Sequence, residues 1–196
     1  MTEAAMILTE VCAAIAADRV RDAADILVRQ YPFIPLSNAG RRYPLTRCMA
    51  LFARDGFLDR YSGRRLVFPG TLRLLSKFLP GQFPFHTNWK TDSCHFAFYE
   101  LFPTVDHIVP ISRGGENDVE NLVTTSMLRN AAKANFTLEE LGWSLQPPGD
   151  GTKWDGLTTW FFDQAHKTPE LLADNYLRQW HAAATTVLRP HSRARM

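Results

Sequence analysis

The feature that most constrains this chain is the stretch VDHIVPISRGGENDVENLVTTSMLRNAAKAN, which occupies residues 105–135. An Asp-His pair follows an extended segment, a Gly-Gly pair marks a turn, and a short apolar run precedes a segment with helical periodicity. This order predicts a strand, a loop, a second strand and a helix. Folding that unit would bring together four polar side chains: Asp106, His107, Asn121 and Asn130.

These four side chains are the types that phosphodiester hydrolysis needs. Carboxylate and amide oxygens bind hard cations such as Mg²⁺ and make a poor site for thiophilic metals. A neutral imidazole can accept a proton from water near pH 7, since its unperturbed pKa is about 6.5. A second amide can orient the ring. The pattern therefore favours metal-assisted hydrolysis of a phosphodiester.

The same stretch resembles the motif of the HNH endonuclease family. The shared features are the Asp-His pair, the Pro three residues after the histidine, the Gly-Gly pair, the Asn-Leu pair and the final Asn-x-x-Lys, all in the same order. The resemblance is tight over residues 105–135 and extends over about residues 51–143. It implies a ββα-metal fold and a nuclease that cleaves DNA, with Mg²⁺ or Mn²⁺ as cofactor.

The resemblance also implies a role for each matching residue. Asp106 would be a metal ligand and His107 the general base. Asn121 would hold the hairpin loop and orient His107, and Asn130 would be the second metal ligand, which gives the H-N-N variant of the motif. Lys133 matches the family's trailing lysine, for which helix stability and a phosphate contact are both open.

The chain departs from the family at a structural zinc site. Many members bind zinc through two CxxC pairs, but here Asp59 and Ser62 stand at the first pair, and Ser126 and Arg129 at the second. We therefore expect no structural zinc and a core supplied by the aromatic residues between positions 52 and 99. An ion pair between Asp59 and Arg129 is one possible replacement.

Charge is unevenly distributed along the chain. The net charge is only +2, yet residues 41–77 hold nine basic and two acidic residues. Such a segment is either a solvated surface or a phosphate-binding surface, and the motif favours the second reading. The residues expected to contact nucleic acid, with double-stranded DNA as the partner, are Arg54, Arg60, Arg64, Arg65, Arg113 and Lys133.

The predicted architecture is α+β, with a ββα-metal core flanked by helices. We divide the chain into an N-terminal helical segment (1–40), a nuclease core with a basic lead-in (41–145) and a C-terminal helical extension (146–196).

Local patterns predict the elements around the motif. Residues 4–30 should form two helices separated at Asp18, and residues 36–95 should be strand or irregular apart from a short helix at 72–78. Residues 96–101 should form a strand. A TLEE capping box predicts a short helix after Thr137, and TPEL predicts a final helix with Thr168 as its N-cap. The aromatic residues of that final helix are more typical of a core than of a base-stacking platform.

The remaining sequence features exclude several classes of protein. The three cysteines form no CxxC pair, and no apolar run reaches 18 residues. With no signal-like N-terminus, these features favour a cytoplasmic protein. A zinc site at His86, Cys94 and His95 matches no standard spacing. Two other functions stay open: a nucleic-acid-binding module without catalysis, and a nuclease directed at RNA.

Overall fold

The computed structural model describes residues 4–33 and 43–188, which belong to two compact units, Met1–Gly40 and Arg41–Met196. In the first unit, α1 (Ala4–Ala16) and α2 (Val20–Gln30) form a helical hairpin. Asp18 lies in the turn with a φ of 57°, as the break in periodicity predicts. The contacts between the two helices bury Ala14 and Ala23, because small side chains allow close approach, whereas Ile15 is exposed.

The second unit is α+β. Its elements, in chain order, are α3 (Leu45–Arg54), α4 (Pro69–Phe78), α5 (Ala97–Leu101), β1 (Pro103–His107), a 3₁₀ turn (Ile111–Arg113), β2 (Leu122–Ser126), α6 (Met127–Lys133), α7 (Leu138–Leu141), α8 (Thr158–Lys167), a second 3₁₀ turn (Pro169–Ala173) and α9 (Asn175–Leu188).

The predicted strand–loop–strand–helix order at residues 105–135 is confirmed. β1 and β2 pair in antiparallel fashion, with His107 opposite Leu122 and Pro103 opposite Ser126. The loop between them needs both of its glycines: Gly114 has a φ of 85°, and a Cβ on Gly115 would overlap the carbonyl oxygen of Val109. α6 follows β2 directly, and the Ser126 side chain caps it by accepting from the Arg129 N–H.

Three secondary-structure predictions were wrong. Residues 97–101 form helix α5, because Phe98 is buried among other aromatic rings and no third strand pairs with β1 within the described residues. Helix α3 lies within residues 36–95, which were expected to be strand or irregular, and α8 lies where no element was predicted. The last helix begins at Asn175, where Asp174 accepts from the Tyr176 and Leu177 N–H groups, and Thr168 provides no side-chain cap.

The core of the second unit joins its N-terminal and C-terminal helices. Phe52 of α3 stacks on Trp180 of α9, and Phe68 packs edge-on against both Trp180 and Phe161 of α8. Residues 158–188 therefore complete the hydrophobic core of the second unit. The domain division at residue 145 stays a prediction. In the part of the chain that the structure describes, every helix is too short or too polar to cross a membrane.

Candidate active site

Asp106, near the end of β1, is held from two sides. Its Oδ2 accepts a hydrogen bond of 2.9 Å from the Tyr61 hydroxyl and forms an ion pair of 3.2 Å with the Lys133 Nζ. Burial, together with the negative charge of Asp106, raises the pKa of Tyr61 well above its ordinary value. The hydroxyl therefore stays protonated and continues to donate to the carboxylate.

Lys133, at the end of α6, is fully buried. Besides Asp106, its ammonium group donates to the carbonyl oxygen of His107 at 2.7 Å and lies over the Tyr61 ring at 5.7 Å. A buried ammonium requires such partners because an unpaired charge inside a protein is costly. Lys133 thus joins α6 to the two consecutive residues of β1 that carry the motif.

The His107 ring is held through one nitrogen. Its Nε2 lies 3.1 Å from the Asn117 Oδ1 and 3.3 Å from the Tyr43 hydroxyl, and that hydroxyl itself donates to the Asn117 Oδ1. Because the Tyr43 hydroxyl donates to Asn117, both atoms facing Nε2 can accept, which favours the tautomer with its hydrogen on Nε2. The lone pair is then on Nδ1, which has no hydrogen-bond partner among the described residues.

Asn121 fixes the loop between the strands. Its Oδ1 accepts from the Val109 N–H at 2.8 Å, and its Nδ2 donates to the carbonyls of Val109 and Glu116 at 2.9 and 2.8 Å. These bonds fasten the residues that follow His107. The side chain of Asn121 makes no contact with the imidazole within the described residues, so any effect on its orientation passes through the backbone.

Asn130 faces β1 from α6. Its Nδ2 donates to the Thr104 hydroxyl at 3.0 Å and to the Val105 carbonyl at 3.4 Å. Asn130, Asp106 and His107 all line one cavity of about 520 Å³. The three side chains that the motif singles out therefore meet at a single opening in the second unit.

The donor atoms at this opening suit a small hard cation. The Oδ1 atoms of Asp106 and Asn130 accept no hydrogen bond from the residues described, so each keeps its lone pairs. Mg²⁺ is commonly held by one or two protein oxygens and several waters. No group of three or more His, Cys, Asp and Glu side chains that could hold a metal occurs in residues 4–33 and 43–188. A metal here would thus depend on the amide of Asn130.

The four positions that lack the zinc cysteines lie together. Asp59, Ser62, Ser126 and Arg129 line a small cavity of about 200 Å³. The ion pair suggested between Asp59 and Arg129 is absent from the contacts among the described residues. The Arg129 guanidinium lies over the Trp143 ring at 4.7 Å, while the buried Asp59 accepts from backbone and hydroxyl donors on both sides of the cavity.

The six basic residues expected to bind nucleic acid differ in exposure. Arg60 is 9% exposed and pairs with the buried Asp55, and Lys133 is fully buried. Arg54 bonds Asp55 and two carbonyls of the hairpin. Despite these bonds, the Arg54 side chain is still 38% exposed. The other exposed side chains are Arg64, Arg65, which lies over the Trp154 ring, and Arg113, which pairs with Glu140.

Tyr43, Tyr61 and Asn117 were missed by the reasoning from sequence. Tyr43 and Tyr61 lie 64 and 45–46 residues from their partners at the site. No local pattern could therefore connect them to the motif. Asn117 lies within the motif's polar loop, so its amide was visible in the sequence. The loop contains several polar side chains, however, and only the fold shows which of them contacts His107.

The comparison with protein families agrees with this geometry. The family model described as HNH endonuclease matches residues 92–125. The match covers β1, the loop and most of β2, and it ends before Asn130 and Lys133. No curated protein and no solved structure matched the chain. Residues 92–125 therefore match the HNH endonuclease family, and this match supports nuclease activity at the level of that family.

Proposed function

We propose that the protein is a metal-dependent endonuclease that hydrolyses DNA through a ββα-metal site of the H-N-N type. The observation that carries the proposal is the single cavity lined by Asp106, His107 and Asn130. Its donor set combines two hard oxygen ligands with an imidazole, which are the groups that hydrolysis of a phosphodiester needs.

In this mechanism His107 is the general base. Its Nδ1 takes a proton from the attacking water, while Asn117 and Tyr43 hold the Nε2–H and thereby the ring. A bound Mg²⁺ would neutralise charge on the scissile phosphate and stabilise the leaving oxygen. Asp106 and Asn130 would hold that ion, and Lys133 would orient Asp106. Attack by water would leave a 5′-phosphate and a 3′-hydroxyl, as the family resemblance implies.

Contacts to the phosphate backbone would come from exposed cations. Arg64, Arg65 and Arg113 keep accessible guanidinium groups that could bind the backbone of a duplex without reading its sequence. Arg60 and Lys133 would contribute only indirectly, because their charges are used inside the protein.

Replacement of His107 tests the proposal. Incubated with supercoiled plasmid and Mg²⁺, the wild-type protein should nick or linearise the DNA, and His107→Ala should abolish cleavage while DNA binding is nearly unchanged. His166→Ala, at an exposed histidine on α8, is the matched control and should cut at the wild-type rate. Cleavage by His107→Ala at that rate would remove His107 from the mechanism.

Metal removal tests the cofactor. EDTA should stop cleavage, and Mg²⁺ or Mn²⁺ should restore it, since both are oxygen-binding cations. Elemental analysis of the purified protein should find no stoichiometric zinc. Undiminished cleavage in EDTA would contradict metal dependence.

Parallel cleavage assays with DNA and with RNA of the same sequence decide which of the two is the substrate.

A further inference from the structure

The cavity at the candidate active site extends well beyond the groups that hydrolysis requires. Asp106, His107 and Asn130 belong to its lining, and the remaining lining residues are mainly apolar and aromatic. At about 520 Å³, its volume lies within the range of roughly 300–1,000 Å³ for pockets that hold small molecules. A phosphate and a hydrated cation alone would leave the aromatic part unused.

The aromatic lining differs in depth. Phe52 and Trp180 are 2% and 4% exposed and belong to the core, so they contribute to the floor. Phe102 and Tyr176 are only half-buried, and both line the cavity. A lining that combines half-buried rings with rings of the core suits a flat, apolar-faced ligand.

We propose that this cavity receives one unpaired nucleobase of the DNA, next to the phosphate that is cleaved. The proposal rests on the proposed function and deepens it, because it names the class of substrate: DNA with an unpaired or extruded nucleotide at the cut site. A base inside an intact duplex is held by pairing and stacking and cannot enter a cavity.

The position of the cavity supports this occupant. In a nucleotide, base and phosphate are joined through one sugar, and here aromatic side chains and the motif residues line the same continuous space. Stacking on aromatic rings accepts any base, because every base has a flat π-face. The half-buried Tyr176 and Phe102 are the residues that would stack on it.

Binding can be measured without cleavage. In the His107→Ala background, we would titrate two DNA duplexes that differ only in whether a 2-aminopurine is paired or lies in a one-nucleotide bulge. The bulged duplex should bind more tightly, and its fluorescence should be quenched as the base stacks on the aromatic rings. Equal affinity for the two duplexes without a difference in quenching, or no binding to either, would overturn the proposal.

Variants of Tyr176 test whether the base binds in this cavity. Tyr176→Leu should lose the quenching and bind the bulged duplex about tenfold more weakly, the effect expected for loss of one stacked base. Tyr176→Phe keeps the ring and should behave like the parent. Tyr31→Leu, an exposed tyrosine of the first unit, is the matched control. Loss of bulge preference in Tyr31→Leu, or its full retention in Tyr176→Leu, would show that the base binds elsewhere.

These experiments distinguish failure of the base-binding proposal from failure of the nuclease proposal. If the bulged duplex binds in the cavity but the wild-type protein cleaves no DNA with Mg²⁺, the base-binding site stands and the catalytic proposal fails. If the wild-type protein cleaves paired and bulged DNA equally and Tyr176→Leu has no effect, the nuclease stands and the base-binding site fails.

Discussion

A histidine that acts as a base must present an unprotonated nitrogen to the water it activates, and its two ring nitrogens are distinct. In this protein, the contacts that distinguish the two nitrogens of His107 come from Asn117, in the loop of the motif, and from Tyr43, outside the motif. The Asn117 Oδ1 and the Tyr43 hydroxyl both lie within 3.3 Å of the His107 Nε2. They favour the tautomer in which Nδ1 is free, and they restrict rotation of the ring.

Asn117 should therefore act as a positioning residue. Asn117→Ala should lower kcat about 10- to 100-fold, the range that loss of such an orienting partner costs at metal-bound histidines, with DNA affinity and thermal stability nearly unchanged. Asn117→Asp, which keeps the acceptor, should retain more activity than Asn117→Ala. The control is Asn88→Ala, at an exposed asparagine. Wild-type kcat for Asn117→Ala would show that Asn117 does not position the ring.

At the scale of secondary-structure elements, a buried carboxylate connects two segments that the resemblance would join through zinc. The Asp59 Oδ1 accepts from the N–H groups of Tyr61 and Ser62 on its own loop and from the Thr125 hydroxyl on β2. Its Oδ2 accepts from the Ser126 N–H at 3.1 Å. One side chain thus joins the loop before α4 to the junction of β2 and α6.

Loss of this carboxylate should destabilise the second unit. Asp59→Asn turns one acceptor into a donor that faces buried N–H groups, so the free energy of unfolding should fall by about 2–4 kcal/mol. Urea denaturation followed by circular dichroism measures the change. The matched control is Asp163→Asn, at an exposed position on α8, which should stay within about 0.5 kcal/mol of the wild type. A wild-type midpoint for Asp59→Asn would contradict the structural role of Asp59.

For the whole molecule, acid stability depends on carboxylates that the fold keeps ionised. Asp55 is fully buried and pairs with Arg54 and Arg60. Burial alone would raise the pKa of its carboxyl, but hydrogen bonds from Arg54 and Thr124 outweigh burial and lower it below the usual value. Asp174 pairs with Lys77. Burial alone would raise the pKa of Asp174 too, but the hydrogen bonds from Lys77 and from backbone N–H groups outweigh burial and lower it.

These pKa shifts set the direction of the pH dependence. A carboxyl with a lowered pKa binds protons less readily in the folded than in the unfolded state, so its stabilisation is complete above about pH 4 and is lost as the pH falls further. Between pH 5 and pH 3, the free energy of unfolding should decrease by roughly 1–3 kcal/mol. Asp55→Asn should be less stable at pH 7 and show a shallower decrease. Denaturation curves that coincide at pH 5 and pH 3 would contradict this account.

The sequence alone determined the hairpin and helix α6, and it predicted that Asp106, His107 and Asn130 share one site, because these features depend on neighbours within about 30 residues whose spacing is readable. The tertiary structure decided the contacts between segments that are far apart in the sequence. It made residues 97–101 helical by burying Phe98, buried Lys133 and Arg60 beside carboxylates, and brought Tyr43 and Tyr61 to the motif. It also opened the aromatic cavity, whose walls come from α3, β1, α6 and α9. Contacts between distant segments leave no periodic signal, since they are selected by packing and by the pairing of buried charges.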